Sequence, residues 1–139
     1  MINSKNGVHD FWDKASCGED LYLKSTDQGG YKAQMQKRYE LEPYIENFAM
    51  FEQYIEKDVL EIGIGLGADH QRFAQAGARL TGIDLTERAV EHTQHRFKLF
   101  DLKSNLQVGD AEILPFSEKS FDLVYSGECF ITAQIQDEP

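Results

Sequence analysis

Three glycines at alternate positions, in Glu61-Ile62-Gly63-Ile64-Gly65-Leu66-Gly67, carry the most chemical content of this 139-residue chain. Without a Cβ, backbone at such positions takes positive φ or lets a ligand approach closely, and beside a helix N-terminus it forms a shelf of N–H groups. Asp84 follows 19 residues after Gly65, where a carboxylate accepts both hydroxyls of a ribose. Gly63-x-Gly65-x-x-Ala68 also satisfies the dinucleotide pattern, so the loop alone suits a nicotinamide cofactor as well as another nucleoside. A glycine-softened turn that holds no ligand is the structural alternative.

Other chemistry-bearing residues are weaker candidates. His92 and His95 lie three apart, with Glu91 just before them; without a third ligand or an apolar shell, a solvated helix face is the preferred reading over a metal site. His9 and His70 stand alone in the sequence. Trp12, Tyr22 and Tyr31 suit aromatic core packing better than a cap on a ligand. Cys17 has no activating neighbour, and no catalytic base can be named.

The elements that must position the loop follow from apolar periodicity. Val59-Leu60-Glu61-Ile62 and Leu80-Thr81-Gly82-Ile83 are short apolar runs that read as strands, with a helix from Ala68 to Ala76 between them, closed by Gly77. Thr86 caps a second helix that buries Val90, Thr93 and Phe97. Leu106 to Val108 and Phe121 to Tyr125 read as two more strands. Four strands alternating with helices predict a doubly wound, Rossmann-like α/β domain, a parallel sheet covered on both faces with right-handed crossovers. Upstream, Pro43 opens a helix predicted over 44–57 with Ile45, Phe48, Ala49 and Ile55 inward. Phe11 to Arg38 reads as short helical pieces around a loop. The division is thus a 1–57 helical segment, a 58–126 binding half-domain and an atypical tail over 127–139.

Composition narrows the partners. The net charge of −10 is spread along the chain: 7 basic against 10 acidic groups over residues 1–57, and 7 against 14 over 58–139. With no basic face to neutralise phosphates, nucleic acid and anionic membranes are not expected partners. Two cysteines, Cys17 and Cys129, make neither a disulfide framework nor a metal site, and no apolar leader or membrane span is present, so a cytoplasmic location is expected.

Four motifs in order now carry a resemblance. The glycine loop from Val59 to Gly67, then Gly82-Ile83-Asp84, then Gly109-Asp110-Ala111-Glu112-Ile113-Leu114-Pro115-Phe116, then Ser120-Phe121-Asp122-Leu123-Val124-Tyr125-Ser126, resemble class I S-adenosylmethionine-dependent methyltransferases of the type 11 group. The resemblance covers 58–126, and the aromatic segment before it is similar to the N-terminal lid of such enzymes only loosely. It implies that the backbone of Gly63, Gly65 and Gly67 lines the methionine part of S-adenosylmethionine, with Glu61 bracing the loop and helping to receive the ammonium. It implies that Asp84 holds the ribose, Leu85 packs on the adenine, Asp110 accepts from the adenine amino group, the Ala111 N–H donates to the ring, and Ser126 sits beside the reacting centre. Glu112 and Asp122 are read as turn residues. The implied activity is methyl transfer to a small-molecule acceptor. A nicotinamide-dependent oxidoreductase fragment and a non-catalytic cofactor-binding or interaction module are the alternatives.

The sequence departs from the family after Ser126. Back-translation of Gly127 to Gln136, with one T inserted before the first codon, can be read as Trp-Gly-Val-Phe-His-His-Ser-Pro-Asp-Thr, the stretch with which the family usually continues. The expectation is that residues 127–139 are out of frame and that the chain is truncated after the fourth strand. A sheet ordered 3-2-1-4 would then expose its outer edge, favouring self-association or instability.

Overall fold

The computed structural model describes residues 22–110, 112–113 and 120–126. The strands β1 (Asp58–Ile62), β2 (Arg79–Asp84), β3 (Asn105–Val108) and β4 (Leu123–Tyr125) form one sheet in the order β3-β2-β1-β4. All three pairings are parallel, with Leu60 opposite Thr81 and Val124, and Asp84 opposite Val108. The helices are α1 (Gln28–Leu41), α2 (Tyr44–Ala49), α3 (Ala68–Ala76) and α4 (Glu87–Leu99). This is the expected Rossmann-like α/β sheet, four-stranded among the described residues and preceded by a helical segment.

Alternation along the strands decides what faces what. Glu61 meets His70 of α3, and the Tyr125 ring lies 5.0 Å from that of Phe73, so these positions face α3. Their neighbours Leu60 and Ile83 point to the opposite face and are also buried, which is why the central strands read as near-continuous apolar runs. Phe73 is the centre of the core, edge-on to Phe51 at 4.7 Å and close to Tyr54 at 6.3 Å. Such edge-to-face contacts suit the ring quadrupoles and add to area burial.

The capping signals act as expected. The Thr86 side chain accepts the Ala89 N–H at 3.2 Å, and Gly77 closes α3 with φ 104°. Val90, Thr93 and Phe97 are buried on α4, joined by Ala89 and Arg96.

Two expectations upstream are corrected. The helix predicted over 44–57 ends at Ala49, because Met50 turns left-handed (φ 49°) and starts a 3₁₀ turn over Phe51–Tyr54. The turn rotates the apolar stripe: Ile45, Ala49 and Phe51 pack on Phe73, while Phe48 and Ile55 are more than half exposed. Of the stretch Phe11 to Arg38, read as short pieces around a loop, the part described from Tyr22 onward enters the 14-residue helix α1, which runs on to Leu41 and is N-capped by Asp27, which accepts the Gly30 N–H at 2.8 Å. Its buried residues are Gly30, Tyr31 and Gln34. It docks through polar groups, so hydrophobic periodicity carries no trace of it.

Candidate functional site

The glycine loop leaves the carboxyl end of β1 and enters α3. Gly63 donates its N–H to Ile83 O at 2.9 Å, and Gly67 donates to Ile64 O at 2.9 Å. Gly63, Gly65 and Gly67 have φ of 77°, 57° and 91°, a region costly for any residue with a Cβ. Gly67 has a second reason to be glycine, since a Cβ there would lie 2.9 Å from Thr93 Oγ1. Ile64 and Leu66 anchor the loop by burying their side chains.

Asp84 ends β2 against this loop. Its Oδ2 accepts the Gly65 N–H at 3.1 Å, and its Oδ1 accepts the Thr86 N–H at 3.1 Å and the Thr86 hydroxyl at 3.2 Å. Burial raises the carboxyl above the usual aspartate range, opposed by these hydrogen bonds. Leu85 follows, half-buried. The Gly109 N–H donates to Asp84 O at 2.8 Å, which brings the turn after β3 to the same edge. There Asp110 Oδ1 accepts the Glu112 N–H at 2.9 Å, as in a turn of the Asx type. Ala111 lies outside the described residues, as do Cys17, Cys129, His9 and Trp12. Ser126 follows β4, half-buried, at the same edge. Asp122 accepts the Asp58 N–H at 2.8 Å, consistent with a structural role.

Several residues that sequence reasoning missed or misplaced close the site from the helical side. His70, read as standing alone, is fully buried, with Nδ1 2.9 Å from Glu61 Oε1 and Nε2 2.8 Å from Ser104 Oγ. His92 and His95 are not simply solvated: His92 Nδ1 lies 3.0 Å from the Tyr31 hydroxyl and His95 Nε2 lies 2.8 Å from Thr26 O. Tyr31 is a core residue, as preferred. The buried Arg96 donates from Nε to Gln71 at 2.6 Å, from Nη1 to Gln34 at 2.8 Å and Leu66 O at 3.0 Å, and from Nη2 to Tyr31 O at 3.1 Å. Burial lowers this guanidinium to about 10, so it stays charged at neutral pH.

Asp69 is the second buried hub. Arg38 grips both of its oxygens, at 3.0 and 2.8 Å, the Tyr125 hydroxyl donates at 2.8 Å, and the Tyr39 hydroxyl donates to Oδ1. These four donors match the acceptor capacity of a carboxylate. Burial, reinforced by Asp69, raises both phenols. A small cleft runs beside the loop, lined by Gln34 and Arg38 of α1 with Glu61, Gly67 and Asp69. The sequence signal for this half of the site is the Asp69-His70 pair, one residue beyond the glycine loop, which has no periodicity of its own.

Residues 59–138 match the family model for a methyltransferase domain. The chain belongs to this methyltransferase family. It is 38% identical over 74 residues to a demethylmenaquinone methyltransferase of Tropheryma whipplei, covering 52% of this chain and 30% of that protein. It is 26% identical over 150 residues to phosphoethanolamine N-methyltransferase 1 of Triticum aestivum, covering 98% of this chain and 30% of that protein. The methyltransferase chain therefore spans less than a third of the length of these curated relatives. Among solved structures, phosphoethanolamine N-methyltransferase 1 of Haemonchus contortus, in complex with phosphoethanolamine and S-adenosylhomocysteine, matches over 89% of this chain and 24% of its own, at a TM-score of 0.63 and 23% identity. That likeness concerns the fold.

Proposed function

We propose that this methyltransferase domain binds S-adenosylmethionine at the carboxyl edge of the sheet and serves methyl transfer to a small-molecule acceptor. The observation that carries the reading is Asp84 held against the Gly65 N–H, a carboxylate at the mouth of a glycine loop with Glu61 on the other side. The donor set suits the group: two carboxylates answer an ammonium and a ribose diol, and a backbone free of side chains admits the link between them. When bound, the group supplies a methyl on a sulfonium, which an aligned nucleophile attacks in line.

In this reading Gly63, Gly65 and Gly67 line the amino-acid end, Glu61 receives the ammonium, and Asp84 takes the ribose. Leu85 packs on the adenine, Asp110 and Ala111 read its edge, and Ser126 borders the reacting centre. Helix α1, through Gln34 and Arg38, walls the cleft and excludes water, the part expected of a 1–57 lid on a 58–126 half-domain. The four motifs favour the type 11 group. The small-molecule acceptor is supported by the relatives named above and by the acidic balance of the chain. No helix among the described residues is long and apolar enough to cross a membrane, and the lack of a disulfide framework suits a cytoplasmic setting. Among the described residues β4 is an edge strand, and association of copies of this chain through it belongs to the same reading.

Calorimetry with S-adenosylhomocysteine tests the reading. Micromolar binding that is lost in Asp84→Ala, with none for NADH, is expected; NADH binding, or no binding by the folded chain, overturns it.

A further inference from the structure

His70 is a buried titratable side chain for which the proposed function finds no use, and its surroundings are built for an imidazole. The ring lies 5.2 Å from that of Phe97, and its Cε1 sits over Gly82, where a Cβ would come within 3.0 Å. Nδ1 faces Glu61 Oε1 at 2.9 Å and Nε2 faces Ser104 Oγ at 2.8 Å. Two proton arrangements satisfy these contacts, and they differ in the charge on Glu61. Burial holds the imidazole neutral, lowering it to about 3, so it carries one N–H. The Ser104 hydroxyl has one proton and two acceptors in reach, Nε2 at 2.8 Å and Leu80 O at 3.3 Å. Given to the nearer Nε2, that proton leaves the ring N–H on Nδ1, where it donates to an ionised Glu61. In the reverse arrangement Ser104 donates to Leu80 O, Nε2 donates to Ser104, and Nδ1 accepts a proton held by Glu61.

We propose that His70 is a positioning residue that keeps Glu61 ionised and aimed at the cleft as the acceptor for the ammonium of the methyl donor's amino-acid end. The proposal rests on the reading that S-adenosylmethionine binds here. Glu61 projects from β1 and lines the cleft beside Gly67. It is itself buried, and a buried carboxylate stays charged only if donors reach it. Ser104, half-buried before β3, sets the tautomer from the far side of the ring.

The test uses two probes on the whole chain. S-adenosylhomocysteine carries the amino-acid end, and 5′-methylthioadenosine keeps adenine, ribose and thioether without it. In His70→Leu, affinity for S-adenosylhomocysteine is expected to fall about tenfold or more, the scale of one charge-assisted hydrogen bond, with 5′-methylthioadenosine unchanged. His70→Asn, which returns an N–H near the place of Nδ1, is expected to recover most of the loss. Equal losses for both probes, or no loss for either, overturn the proposal. Failure of the unaltered chain to bind either probe overturns instead the reading beneath it. Ring ¹⁵N shifts of His70 in the unaltered chain give a check that needs no variant: a proton on Nδ1 is expected, and an Nε2–H tautomer or an imidazolium overturns the proposal.

Discussion

The Asp84 carboxylate accepts the Gly65 N–H at 3.1 Å while its other oxygen accepts the N–H and hydroxyl of Thr86. One side chain thus joins the end of β2, the glycine loop and the cap of α4. Asp84→Asn keeps the size but turns one acceptor into a donor facing backbone N–H groups. A loss of about 1–3 kcal/mol in chemical unfolding is expected, the cost of unsatisfied buried donors, together with weakened S-adenosylhomocysteine binding in calorimetry.

Acid should destabilise the fold through His70. Its folded value lies near 3, below the ordinary 6.5, so between those limits the unfolded chain binds the extra proton. Stability therefore rises with pH across that window and falls on acidification, by up to about 1.4 kcal/mol per pH unit for one proton. Urea melts at pH 7 and pH 5 measure the difference. It should shrink in His70→Asn, and an unchanged difference would assign the acid sensitivity elsewhere.

Arg96 donates to four acceptors on three sides. Arg96→Leu strips them of their donor at once and is expected to cost about 3–5 kcal/mol, as when a buried charged network is broken. Arg96→Lys should recover only part, because a single ammonium does not reproduce the planar fork. Thermal melts of the two variants give the order.

Gly67→Ala combines a left-handed φ of 91° with a Cβ 2.9 Å from Thr93 Oγ1. A loss of about 1–3 kcal/mol is expected. Thr93→Ala in the same chain should return the steric share and leave the backbone share, which double-mutant melts separate.

What the sequence makes legible follows from the kind of force at work. Apolar runs such as Val59 to Ile62 and caps such as Thr86 and Gly77 act locally, and the first three strands, α3 and α4 fall where these signals put them, while β4 begins at Leu123, two residues later than read. Met50 is different: the same apolar spacing suits a continuous helix, and only the packing of Phe51 on Phe73 selects the break. Helix α1 was illegible because it is held by Arg38 to Asp69 and by Gln34 to Arg96, partners separated by 31 and 62 residues. Charged side chains have no period, and their pairings exist only once the fold brings them together. For the same reason the glycine loop was readable as a site, whereas His70 beside it looked solitary.

The seat of Arg96 bears on where this chain can be cut. Two of its acceptors, Gln34 and the Tyr31 carbonyl, belong to α1, although the parallel sheet begins only at Asp58. A fragment starting at β1 would keep every described strand yet strip Arg96 of two of its four acceptors and Asp69 of three of its four donors. The smallest autonomous piece therefore opens upstream of Gln28, and an expression boundary drawn at the first strand should give insoluble protein.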